Sequence, residues 1–178
     1  ARFNLDAVAI SSNYDAGLDW LTVIFEAAPD SCESVAIGLY QDRFAYAMRE
    51  VAGVLSIDSY AGQLRQYNEG YNEGDPKMAV VPIGPANYAG RSVEVSRVPG
   101  TMRKDCSMTA VHLYLKDHKT ATIDGVIAAV KHFRDSQPLP GVKIRLAAGN
   151  AVVLAAINEA VETSELPMML NVYGVIIV

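Results

Sequence analysis

Apolar positions along this chain recur with two periods, and the switches between those periods lay out an order of elements. Residues 20–27 (WLTVIFEA) are rich in β-branched and aromatic side chains and predict a buried strand. Pro29 ends it. Asp30, with Glu33 three residues later, has the form of a capping box, which satisfies free amides at a helix start. From there Ile37, Tyr40, Phe44, Met48 and Val51 recur at three- and four-residue steps, the stripe of one helix. Gly53 stands where that helix would close in a left-handed turn, and residues 54–58 (VLSID) follow as a short strand. In residues 108–116 (MTAVHLYLK), alternation puts Val111, Leu113 and Leu115 on one face and His112 on the other. Ile123, Val126, Ile127, Val130 and Phe133 form a second helical stripe, closed by Pro138. Residues 142–147 (VKIRLA) alternate apolar with basic, a strand with one wet face.

The remaining stretches are less regular. Residues 1–19 read as an irregular N-terminal arm, with turn formers concentrated in SSNYDAG (residues 11–17). Residues 60–106 show little periodicity and predict an insertion with some local structure. It contains the tandem tetrapeptide YNEGYNEG at 67–74 and a run of prolines and glycines at 80–90. Asn150 is placed to cap a third helix, with Leu154, Ile157 and Val161 on one side and Glu159, Glu162 and Glu165 largely on others. Pro167 then precedes an apolar run to Val178. A membrane-spanning helix needs about 20 apolar residues, so a run of this length reads either as a core strand or as the start of a longer span.

Without the insertion the order is strand, helix, strand, strand, helix, strand. That is the split βαβ, ferredoxin-like arrangement: an α+β fold with two helices on one face of a four-stranded antiparallel sheet, here with a long insertion between strands two and three. The topology carries a corollary. Strands one and three are central and antiparallel, so the end of strand one lies beside the start of strand three, which makes Cys32 and Cys106 neighbours. A disulfide is the expected outcome, with two unpaired buried thiols as the alternative. A bridge closing a loop of roughly 75 residues stabilises by about 4–5 kcal/mol in the chain-entropy model.

Composition narrows the function classes. The chain is 51% hydrophobic and 20% charged, as an ordinary globular domain is, and its net charge of −5 argues against a nucleic-acid partner. Motifs for chemistry are scarce. Residues 84–92 (GPANYAGRS) hold five residues between glycines where a phosphate loop needs four, with Arg91 in place of lysine, and read as a surface turn. His112, His118 and His132 lack metal-ligand spacing. Cys32 at a helix start is flanked by Asp30 and Glu33, which oppose a reactive thiolate. The loop after strand one carries three carboxylates, so it would repel a phosphate. Neither a catalytic role nor a cofactor or metal is expected.

Three stretches resemble a known family: residues 49–74 (REVAGVLSIDSYAGQLRQYNEGYNEG), 142–161 (VKIRLAAGNAVVLAAINEAV) and 164–178 (SELPMMLNVYGVIIV). They are similar to the extracytoplasmic loop regions of bacterial exporters of the resistance–nodulation–division (RND) superfamily. The resemblance covers nearly the whole chain and rests most on the GVLSIDS strand and on the closing series of strand, AAGN, helix, proline and apolar run. It implies a periplasmic porter domain over 20–147, a connector helix at 148–166, and the opening turns of a membrane helix at 167–178. The parent would sit in a bacterial inner membrane, and the N-terminal stretch looks more like the second of the family's two loops. The implied partners are the parent's remaining transmembrane and periplasmic domains and a hydrophobic or amphipathic small molecule or lipid. The family's proton-carrying acids lie in membrane helices, so no residue here takes that role. Within the insertion Tyr67, Tyr71, Met78 and Tyr88 are candidates for a substrate path or a docking surface, or else pack the insertion onto the sheet. An oxidising periplasm adds support for the Cys32–Cys106 bridge.

The helix-free sheet face would pack against the pseudo-equivalent domain. That predicts exposed apolar residues from one alternation of strands 20–27 and 108–116, and self-association as a homo-oligomer. The rival reading is a soluble ferredoxin-like regulatory domain that binds a small molecule, keeps both cysteines reduced and buries the terminal run as a strand. An enzyme would need a pocket of convergent polar groups.

Overall fold

In a computed structural model the structure describes residues 19–147. The expectations for the arm at 1–18, the connector helix at 148–166 and the apolar run at 167–178 lie outside the described residues. The elements are β1 (Asp19–Glu26), α1 (Val35–Arg49), β2 (Val54–Ser59), α2 (Tyr60–Gly70), α3 (Pro85–Val95), β3 (Met108–Leu115), α4 (Thr120–Ser136) and β4 (Lys143–Ala147). Short 3₁₀ turns occupy Ser31–Glu33 and Pro76–Met78.

The four strands form one antiparallel sheet in the order β2-β3-β1-β4, as the split βαβ reading requires. Leu21, Val23 and Phe25 of β1 and Val111, Leu113 and Leu115 of β3 all point to one face, where α1 and α4 cover them. Period-two alternation on the strands thus meets the helical stripes Tyr40–Phe44–Met48 and Ile123–Val126–Val130–Phe133. The rings of Phe25, Phe44 and Phe133 lock edge to face, with centroids 5.1 Å apart at both contacts.

Two local expectations need correction. Asp30 does not cap the helix: it adopts a left-handed backbone and precedes the 3₁₀ turn, and α1 begins at Val35 after Ser34. The cause is tertiary. The Asp30 amide donates to the Asp105 carbonyl at 2.9 Å, which ties this loop to the β3 approach before the helix starts. Gly53 has the positive φ expected of it, +104°, but it shapes the turn into β2, because α1 ends at Arg49.

The insertion is more ordered than its weak periodicity suggests. Ser59 ends β2 and caps α2 at once, its hydroxyl accepting from the Gly62 amide at 3.0 Å, so strand passes into helix with no loop. Residues 84–92 are not a surface turn. Gly84 stands at the N-cap and Pro85 at the first turn of α3, where a missing N–H costs nothing. The two helices build a second core from Tyr60, Ala61, Leu64, Val81, Tyr88 and Val95. That core packs beside α1, where the Tyr88 ring meets Gly38, while Gln41, at the edge of the sheet-facing stripe, is buried with its amide donating to the Thr109 hydroxyl of β3.

Cys32 and Cys106 are disulfide-bonded, with Cα atoms 5.3 Å apart. The bridge lies where the topology puts it, between the end of β1 and the start of β3, beside an Ala27 amide to Ser107 carbonyl bond of 2.9 Å. It also anchors the insertion. The Cys32 carbonyl accepts from the hydroxyls of Tyr60 and Ser92, each at 2.9 Å. No helix among the described residues is long and apolar enough to cross a membrane.

Candidate functional site

Spacing on α2 explains what gathers at its surface. Gln63, Gln66, Tyr67 and Gly70 recur at three- and four-residue steps and so share one side of the helix, beside the buried Tyr60, Ala61, Leu64 and Asn68, with Tyr67 also packing against the second core. Tyr71 follows at the C-cap, one helical turn beyond Tyr67. Together with Asp58 from the edge strand β2 and Val98 from the segment after α3, this face lines a cleft of about 550 Å³.

Asp58 stands on the side of β2 away from α1 and α4, paired in register with His112. Its carboxylate accepts from Gln63 Nε2 at 3.1 Å and takes part in no ion pair among the described residues. Gln63 also donates to Thr101 Oγ1 at 3.1 Å, holding the segment before β3 against the helix. The Arg91 guanidinium carbon lies 3.8 Å from the centroid of the Tyr71 ring, a cation–π contact that fixes the ring although Tyr71 is 56% exposed. The walls combine aromatic surface, amide groups and one carboxylate, an arrangement suited to holding a small molecule.

The four candidate positions separate. Tyr67 and Tyr71 meet in the cleft. Met78 lines a different depression of about 450 Å³, with Leu39, Val80 and Ile83, and Ile83 is 75% exposed there. Tyr88 is fully buried and lines neither. Its hydroxyl lies 3.2 Å from that of Tyr60, and burial raises both phenols above their ordinary range. Tyr88 therefore packs the insertion together. Asp58, Gln63 and Gln66 went unmarked in the sequence. The recurrence of Tyr60, Leu64 and Asn68 after Ser59 was the available signal: it marks a helix, and a helix places these residues on one face.

The second feature is the sheet face opposite the one that α1 and α4 cover. It carries Trp20, Thr22, Ile24 and Glu26 of β1 opposite Tyr114, His112, Ala110 and Met108 of β3. Trp20, Ile24, Met108 and Tyr114 are partly exposed, so apolar surface lies there as the alternation implies, interleaved with polar groups. His112 pairs with Thr22, Nδ1 to Oγ1 at 3.1 Å, and Arg145 donates to Glu26 at 2.7 Å at the β4 side. No group of three or more potential metal ligands occurs among the described residues.

In comparisons with known proteins, no family model and no curated relative matches the chain. The disulfide points to an oxidising, extracytoplasmic setting.

Proposed function

We propose that this chain is a periplasmic porter domain of a proton-driven RND-type exporter of hydrophobic or amphipathic compounds, contributing a substrate path and a docking surface and no bond-making chemistry. One observation carries the reading: a four-stranded split βαβ sheet with α1 and α4 on one face and a partly apolar, aromatic-rich second face. A domain that moves against a pseudo-equivalent neighbour needs such a face. It is interleaved with Thr22, His112 and Glu26, as suits a contact that forms and releases, because fully apolar interfaces behave as permanent ones. The resemblance of residues 49–74, 142–161 and 164–178 to RND loop regions supports the same conclusion. The disulfide weighs against the rival, a soluble ferredoxin-like regulatory domain that binds a small molecule and keeps both cysteines reduced.

The whole parent gene, expressed in a bacterium lacking its own exporters, tests the reading. Cells should retain less of an apolar fluorescent dye, and a protonophore should restore retention to that of empty cells. Unchanged retention, together with a fusion at Ala147 to a reporter enzyme that proves active only in the cytoplasm, would overturn it.

A further inference from the structure

We propose that the cleft between α2 and the Val98 segment binds an organic cation with an apolar body, with Asp58 as counter-ion and Tyr67 and Tyr71 as its aromatic wall. The inference goes beyond the export reading, since such a site needs no transport to exist.

Three observations combine. At about 550 Å³ the cleft lies within the roughly 300–1,000 Å³ typical of small-molecule sites. Asp58 is the only charged side chain in its wall among the described residues, its hydrogen-bond partner there is an amide, and it takes part in no ion pair among the described residues. The two phenol rings present electron-rich surface, which attracts a cation and accepts an apolar body equally well.

The neighbouring positive charges do not line the cleft. Arg91 lies over the Tyr71 ring and outside the cleft wall. Arg49 and Arg65 face a separate depression of about 220 Å³ that shares Asp58, Gln63 and Gln66. Of these, Arg65 is engaged by Asp42 at 3.1 Å and by the Ala79 carbonyl at 2.9 Å. The net charge of −5 also favours the approach of a cation over an anion.

Titration calorimetry of the 178-residue chain with tetraphenylphosphonium and tetraphenylborate, matched in shape and opposite in charge, decides the matter. The phosphonium should bind about tenfold or more tightly than the borate. Asp58→Asn should weaken the phosphonium about five- to tenfold and leave the borate unchanged or tighter. Gln66→Lys, at an exposed wall position and with folding checked by circular dichroism, should act in the same direction, so the proposal does not depend on one variant. Equal affinity for the two ions, phosphonium binding unmoved by both substitutions, or no phosphonium binding up to its solubility would overturn the proposal. None of these failures bears on dye export by the parent gene, so the two readings fail separately.

Discussion

A Cβ placed on Gly38 would lie 2.5 Å from the Tyr88 hydroxyl oxygen and 2.7 Å from the ring itself. Glycine at the end of the first turn of α1 is thus the condition for docking the insertion: α3 delivers the Tyr88 ring onto bare helix backbone. Glycine costs a helix interior about 1 kcal/mol relative to alanine, so Gly38→Ala gains that much locally. Against it stands overpacking of a buried ring, typically 1–3 kcal/mol and occasionally more. Overpacking wins because the contacts are to a rigid ring that Tyr60 holds in place. Chemical denaturation should show Gly38→Ala less stable by about 1–2 kcal/mol. Combined with Tyr88→Leu, the double variant should be more stable than the sum of the single losses.

The Cys32–Cys106 bridge joins both frame and insertion, since the Cys32 carbonyl also receives Tyr60 and Ser92. With a sequence separation of 74, the chain-entropy model gives about 4–5 kcal/mol. Cys32→Ser with Cys106→Ser, or a reductant added to the native chain, should lower the denaturation midpoint accordingly. Amide hydrogen exchange should rise more in α2 and α3 than in β1, because the insertion loses its anchor while the sheet keeps its ladder.

Burial raises the phenol pKa of Tyr60 and Tyr88 in the folded state. An acid whose folded pKa exceeds its unfolded value holds its proton longer when folded. Its stabilising contribution is complete below the unfolded pKa of about 10 and is lost as pH rises beyond it. The protein should therefore unfold in base, with tyrosinate absorbance appearing together with the loss of secondary structure. Tyr60→Phe should flatten that pH dependence. Near neutrality it should cost only about 1 kcal/mol, since Ser92 still donates to the Cys32 carbonyl. Tyrosinate forming well before the fold is lost would contradict this account.

Much of the frame was legible because strands and helices announce themselves by period. Alternation in residues 108–115 and the stripe from Ile123 to Phe133 each report a single buried face, and each element does bury that face. The cysteine pairing was legible one step further on, because the strand order leaves the two loops adjacent. The insertion was not legible in the same way. Its helices are short and pack on each other and on α1, so their buried positions include Ser92 and Asn68, which read as surface residues. Asn68 is buried because Nδ2 donates to the carbonyls of Met78 and Val80, at 2.9 and 3.2 Å.

The tandem YNEGYNEG marks the boundary between the two kinds of information. The first copy, residues 67–70, is the last turn of α2, and the second, residues 71–74, is a turn in which Glu73 and Gly74 take positive φ. Identical tetrapeptides have identical local propensities, so propensity cannot have chosen between them. The first is drawn into helix by the buried face that Tyr60, Leu64 and Asn68 begin, and the second has no core beneath it to continue that face. The sequence by itself determined the order of the frame, the face each element buries and the nearness of Cys32 to Cys106, because those depend on local period and strand order. Tertiary structure alone decided that Tyr88 lies against Gly38, that Tyr67 and Tyr71 share a cleft with Asp58, and that Met78 faces elsewhere. Such relations join residues distant in sequence, and only the packing of two cores against one helix brings them within reach.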